Sequence, residues 1–181
     1  MSIVLISVPC TSILGQEQDS QQERKRERLI EHTGDLLMFG LPMVAGSATL
    51  FKEDKEGTKQ FIRSLAFNLA MTTGIKFAIN KPRPEGATDG HAFPSGHTST
   101  SFHAASFIQS RYGWKYGGPA YIMAAFVGWS RLEADRHDEW DVLGGALLGM
   151  GSTYLFTSPL LQSDNLNLSY NGSQVHISYT F

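Results

Sequence analysis

With 181 residues, 41% of them hydrophobic and 18% charged, the chain has the balance of a single, slightly apolar globular domain. Its formal charge of −2 comes from 15 Lys and Arg set among 17 Asp and Glu, and the basic residues are nowhere massed without acidic neighbours, so nothing points to a nucleic-acid surface. Cys10 is the one cysteine, which excludes a disulfide within the chain.

Residues 1–15 (MSIVLISVPCTSILG) are short, apolar and end in small residues. That pattern suits an export signal cleaved near Gly15-Gln16, with an N-terminal anchor as the other reading, although no Lys or Arg precedes the run. Residues 16–35 read as a polar linker or surface helix. Five apolar segments follow, 36–51, 60–79, 96–112, 119–131 and 141–158. They are rich in Ala, Leu, Met and Phe and lack the alternation of strands, which predicts five helices. Lys52 to Thr58 is a charged turn, Pro82 and Pro84 forbid helix continuation, Gly117-Gly118-Pro119 is expected to break one helix and start the next, and Pro159 closes the last. Beyond it, within 161–181, alternating residues flank Asn171-Gly172, a hairpin signal. The expected fold is therefore an all-α antiparallel bundle of about five core helices over residues 36–160, with a short C-terminal β-hairpin.

Short connections make neighbouring helices antiparallel, so the ends of the second and fourth helices and the starts of the third and fifth share one face of the bundle. Three groups of polar residues fall there. Pro94-Ser95-Gly96-His97 precedes the third helix: Ser95 is a good N-cap, the helix start aims free N–H groups at an anion, Gly96 admits a ligand closely, and His97 can give or take a proton. Lys76 is followed by Arg83-Pro84, and Ser130-Arg131 by His137 and then Asp141. No Cys/His cluster or carboxylate pattern calls for a metal, and no cofactor is expected.

These three blocks, in this order and spacing, resemble the signature of the type 2 phosphatidic acid phosphatase superfamily, which holds lipid phosphate phosphatases, bacterial acid phosphatases and vanadium haloperoxidases; the resemblance covers roughly residues 36–160. It implies a metal-independent phosphomonoesterase acting on a lipid or isoprenoid phosphate. Lys76, Arg83 and Arg131 would bind the phosphate, assisted by Ser95 and the Gly96 amide. His137 would be the nucleophile that forms a phosphohistidine, Asp141 its orienting partner, and His97 the group that protonates the leaving alcohol and then activates water. Two other readings stay open: a vanadium haloperoxidase, whose known members are much longer chains, and a catalytically idle envelope binding protein. His91 is read as a loop histidine without a role, with a polar group at the rim as the other reading, and His103 as a packing residue. Trp114, Trp129 and Trp140 are read as core or interface, with a substrate contact open to Trp140 alone. Glu133, Asp135, Arg136 and Asp138 are read as a solvated loop, with Asp138 also a candidate N-cap of the fifth helix, which leaves open whether His137 is helical.

Mean hydropathy of −0.17 is low for a chain of membrane spans, and the first and fourth apolar segments fall short of about 20 residues. Gly-rich runs such as Val142 to Leu161 nevertheless suit helix packing in lipid. The expectation is a bacterial-type envelope protein, membrane-associated, with its site facing the periplasm, a phosphate ester as its partner and no nucleic acid.

Overall fold

Helix α1 runs unbroken from Cys10 to Phe51, so segment 36–51 is the second part of a longer helix. Pro42 lies inside it and removes one backbone donor without ending it. The computed structural model describes residues 10–84, 90–160, 166–170 and 175–179. Residues 1–9, where the expected export or anchor segment begins, and the Asn171-Gly172 turn lie outside the described residues. Helix α2 (Lys55–Ile79) starts on Asp54, whose carboxylate accepts from the Gly57 N–H at 2.8 Å. It stops at Asn80, which takes a left-handed conformation with φ 45° ahead of the two prolines.

Helix α3 (Gly96–Tyr112) is capped by Ser95, as its sequence predicts. Its end at Tyr112 is the one the sequence predicts, and the difference comes at the start of the next helix. The break before α4 (Trp114–Glu133) falls at Gly113, whose φ of 87° suits a residue without Cβ, and Pro119 lies inside α4. Pro119 is the sixth residue of α4, past the first four whose N–H groups have no partner in any case, so it forfeits one intrahelical bond, to the Lys115 carbonyl. Helix α5 (Glu139–Phe156) starts on Asp138 with a reciprocal capping box: Asp138 accepts from the Asp141 N–H, and Asp141 accepts from the Asp138 N–H.

α3 is the central helix and touches the other four. Against α5 it meets backbone to backbone, because a Cβ on Gly145 would lie 2.5 Å from the Ser95 carbonyl oxygen and one on Gly149 only 2.2 Å from that of Ser99. The seam between α2, α3 and α5 is polar and largely paired, although Asn68 Nδ2 and His103 Nδ1 are buried without a hydrogen-bond partner. Asn68 Oδ1 accepts from Ser99 Oγ at 2.7 Å and Ser152 Oγ at 3.3 Å, Thr72 and Ser99 hydroxyls meet at 3.0 Å, and His103 Nε2 lies 2.7 Å from Ser64 Oγ. His103 thus has the packing role expected of it. An apolar cluster including Leu41, Phe61, Phe107, Ile108 and Ala124 fills the space between α1, α2, α3 and α4.

The end of the bundle remote from Ser95 is tied by a buried ion pair. Arg111, at the end of α3, donates from Nε to Asp54 Oδ2 at 2.7 Å and from Nη1 to the Ser158 carbonyl at 2.7 Å, joining the α1–α2 turn to the segment after α5. Large apolar side chains, by contrast, face outward: Leu36, Met43, Phe51, Phe77, Ile122, Leu147 and Leu155 are all more than half exposed. Trp114, Trp129 and Trp140, expected in the core or an interface, are 68%, 41% and 71% exposed.

The architecture is the five-helix bundle. The C-terminal hairpin expected from the sequence is not supported as part of it: Leu166–Tyr170 and Val175–Tyr179 pair antiparallel with Leu168 opposite Ile177, but the pair touches no helix. A lone two-stranded ribbon without a packed face is marginal in water.

Candidate active site

The chain connections put the end of α2, the start of α3, the end of α4 and the residue before α5 around one pocket of about 530 Å3, walled by Lys76, Arg83, Gly96, His97, Arg131 and His137, with Glu31, Asp35, Phe39 and Arg136 completing it. Six of the eight residues expected from the sequence thus share one cavity. Asp141 stands directly behind His137, and Ser95 is the exception.

Ser95 is fully buried. Its Oγ is the helix cap, 3.0 Å from the Thr98 hydroxyl, and its N–H donates to the Asp141 carbonyl at 2.8 Å. It sets the path of Gly96 and His97 and locks the start of α3 to the start of α5 without reaching the pocket wall.

Lys76 is aimed by the following loop. Its Nζ donates to the His91 carbonyl at 2.8 Å, while His91 Nδ1 lies 3.0 Å from the Lys76 carbonyl oxygen. His91 therefore braces the lysine from behind and is not itself in the wall.

His137 lies two residues before α5, just ahead of the cap Asp138, so the i, i+4 spacing to Asp141 does not act through a shared helix face. The capping box turns the Asp141 carboxylate back over the helix start, and Oδ2 reaches His137 Nδ1 at 3.3 Å. That fixes the imidazole and leaves Nε2 as its free nitrogen. Lys81 holds the other side of the carboxylate: it donates to Asp141 Oδ1 at 2.8 Å and also contacts Asp138 Oδ2. Of the two readings of Asp138, the structure shows the N-cap, with the Lys81 ammonium on it. Burial, reinforced by the Lys76 ammonium, pushes the imidazole of His137 down to about 4. Its neutral form therefore persists at acidities where an ordinary histidine carries a proton.

Two groups that the sequence reading missed come from α1. Asp35 Oδ1 lies 3.1 Å from His97 Nε2 and accepts from Arg131 Nη1 at 2.9 Å; the Glu31 carbonyl accepts from Arg131 Nη2 at 2.9 Å, and the Glu31 carboxylate accepts from Arg136 Nε at 3.1 Å. Gly34 makes this approach possible, since a Cβ there would sit 2.1 Å from Ser130 Oγ and 2.8 Å from Arg131 Nη2. No local pattern in residues 16–35 marks them; the signal exists only once α1 is docked. Burial and the Arg131 charge pull the His97 imidazole below its ordinary range, and Asp35 opposes that shift.

The Asp35 carboxylate stands on His97 and Arg131 in the pocket wall, and its charge repels a dianion. Asp35→Asn should therefore tighten binding of inorganic phosphate about fivefold, the scale of one partly exposed charge. Calorimetric titration with orthophosphate checks this, and weaker binding in the variant would show instead that the carboxylate holds Arg131 in place for the ligand.

A helical bundle that gathers three cations, a helix start and two histidines at one end, with a carboxylate behind one histidine, is built as a phosphoryl-transfer site. Comparison with known proteins agrees. Residues 58–161 match the PAP2 superfamily. A lipid A 4'-phosphatase of Helicobacter pylori is 33% identical over 140 residues, 72% of this chain and 70% of that protein. A lipid A 1-phosphatase of Porphyromonas gingivalis is 31% identical over 129 residues, 66% of this chain and 29% of that protein. The crystal structure of Aquifex aeolicus LpxE has the same fold, with a TM-score of 0.54 at 22% identity over 72% of this chain and 92% of that one. The chain belongs to the PAP2 superfamily and is a phosphoric monoester hydrolase of the lipid phosphate phosphatase kind.

Proposed function

We propose that the protein hydrolyses the phosphate monoester of a membrane lipid, of the lipid A or isoprenoid phosphate class, through a phosphohistidine on His137. The observation that carries this reading is the pairing of His137 Nδ1 with Asp141, with Nε2 left for a pocket walled by Lys76, Arg83 and Arg131. Nε2 attacks phosphorus, the bond to the ester oxygen breaks, and His97 gives its proton to the departing alkoxide. Water then attacks the phosphohistidine, His97 takes its proton, and orthophosphate leaves. The three cations meet charge that spreads over the equatorial oxygens, and the Gly96 amide at the start of α3 adds a fixed dipole.

Membrane association and a periplasmic site belong to the same reading. Within Gln18–Phe51 one helix is long and apolar enough to cross a bilayer, and only 22% of its most apolar window is buried, unlike the core helix of a soluble protein. Trp114 and Tyr116 stand exposed at one end of α4 and Trp129 at the other, about 22 Å apart at 1.5 Å per residue, the arrangement of interfacial aromatic belts. Polar groups turned inward and Leu, Phe and Met turned outward fit a lipid surround.

Phosphate release from a lipid phosphate monoester should persist in EDTA, orthovanadate should compete with substrate, and His97→Ala should accumulate an acid-labile phosphoenzyme under rapid quench. Activity abolished by EDTA, or no trapped phosphoenzyme, would falsify the mechanism. Bromide oxidation by the vanadate-loaded protein with peroxide, at a rate comparable with phosphate release, would favour a haloperoxidase.

A further inference from the structure

Asp35 and Leu37 are two residues apart on α1, so their side chains point about 200° away from each other. On the Leu37 side, remote from the catalytic pocket, Leu41, Val44 and Ala48 face Ile108, Ala120 and Met123 across an almost wholly apolar groove of about 400 Å3. At its far end Lys52, Tyr112 and Tyr116 are shared with a second, more polar cavity of about 490 Å3 that Gln109 and Ser110 also line. An apolar slot therefore opens into a polar basin, and an ammonium stands at the junction. Lys52 Nζ lies 5.5 Å from the Tyr112 ring centroid and 5.9 Å from that of Tyr116, and among the described residues it has no carboxylate partner. Lys115 stands over the Tyr116 ring as well, at 5.7 Å. The one buried acid nearby, Asp54, is neutralised by Arg111.

We propose that this composite site holds one anionic glycerophospholipid from the leaflet opposite the catalytic site, its phosphate at Lys52 and one acyl chain along the groove between α1 and α4. The assignment goes beyond the hydrolytic reading and rests on the membrane placement proposed with it. Charge selects the headgroup, since the Lys52 and Lys115 ammonium groups both stand over the Tyr116 ring at the junction, while Lys59 farther along is paired with Glu56. Size selects the tail. From Leu37 to Lys52 the groove runs about 22 Å, long enough for a chain that fills half of a hydrocarbon core of about 30 Å.

Native mass spectrometry of the full chain in mild detergent, titrated with phosphatidylglycerol or phosphatidylcholine of equal chain length, tests this. One phosphatidylglycerol should remain bound, retained about fivefold better than phosphatidylcholine. Lys52→Glu should remove the preference. Gly40→Leu should remove both lipids, because Gly40 lines the groove and a Cβ there meets nothing within 4 Å, so the side chain fills the slot without strain. Hydrolysis of p-nitrophenyl phosphate should be unchanged in both variants, and His137→Ala should keep the lipid while losing hydrolysis, which separates this site from the phosphatase reading. Equal retention of the two lipids, retention undiminished by Gly40→Leu, or a second protein copy in place of the lipid would overturn the proposal.

Discussion

His137→Ala should abolish phosphate release from alkyl and aryl phosphates alike, by roughly 10⁴-fold or more, the scale on which deleting the nucleophile of a covalent mechanism acts. Both substrates lose the same step, because with no Nε2 at phosphorus no phosphoenzyme forms whatever the leaving group. The loss should appear in the pre-steady-state burst as well as in turnover. The fold should survive, since the start of α5 is held by the Asp138–Asp141 capping box and by Lys81, neither of which needs the imidazole. The wild-type burst gives a further check through pH. An imidazole held down near 4 keeps its lone pair as the solution is acidified, so the acid limb, corrected for ionisation of the substrate itself, should lie near pH 4. A limb at the ordinary histidine value of about 6.5 would mean that the pocket admits enough water to erase the burial effect. A burst retained in His137→Ala would remove the nucleophile from this position altogether.

His97→Ala should divide substrates by leaving group. General acid help is worth roughly 10²- to 10⁴-fold where the departing alkoxide is basic, so alkyl and lipid phosphates should lose that much burst rate. p-Nitrophenyl phosphate, whose leaving group needs little protonation, should be largely spared in the burst while its turnover falls, because water must still be activated in the second step. The geometry is consistent with both roles proposed for this histidine. It stands in the first turn of α3 at the pocket wall, with Nε2 against Asp35, which supports the protonated form, and with Arg131 close by, which opposes it. Opposed influences of this kind poise a group to change protonation state within one cycle. Equal loss of burst rate for alkyl and aryl substrates would take the acid role from His97 and leave it as a phosphate binder.

Much of this was legible in the chain before folding, for local reasons. Ser95 and Asp54 are good caps, the apolar segments carry helix-forming residues, and short connections force antiparallel neighbours, so the gathering of Lys76, Arg83, His97, Arg131 and His137 at one end follows from topology alone. One local expectation fails because a neighbouring residue acts first: Gly113 already makes the turn, so α4 starts at Trp114 and Pro119 lies inside it, whereas the ends of α2 at Ile79 and α3 at Tyr112 are those the sequence predicts.

What the chain alone determined is the set of cations and histidines and the end of the bundle on which they fall, because caps, breakers and connection lengths act over a few residues. What only the tertiary structure decided is who stands behind them. Lys81 reaches Asp141 across 60 positions and Asp35 reaches Arg131 across 96, and Gly34, Gly145 and Gly149 matter only through the backbone or side chain that comes to lie against each. Such partners leave no periodic or neighbouring mark in the sequence, since their distances are set by how helices pack and not by how each one forms.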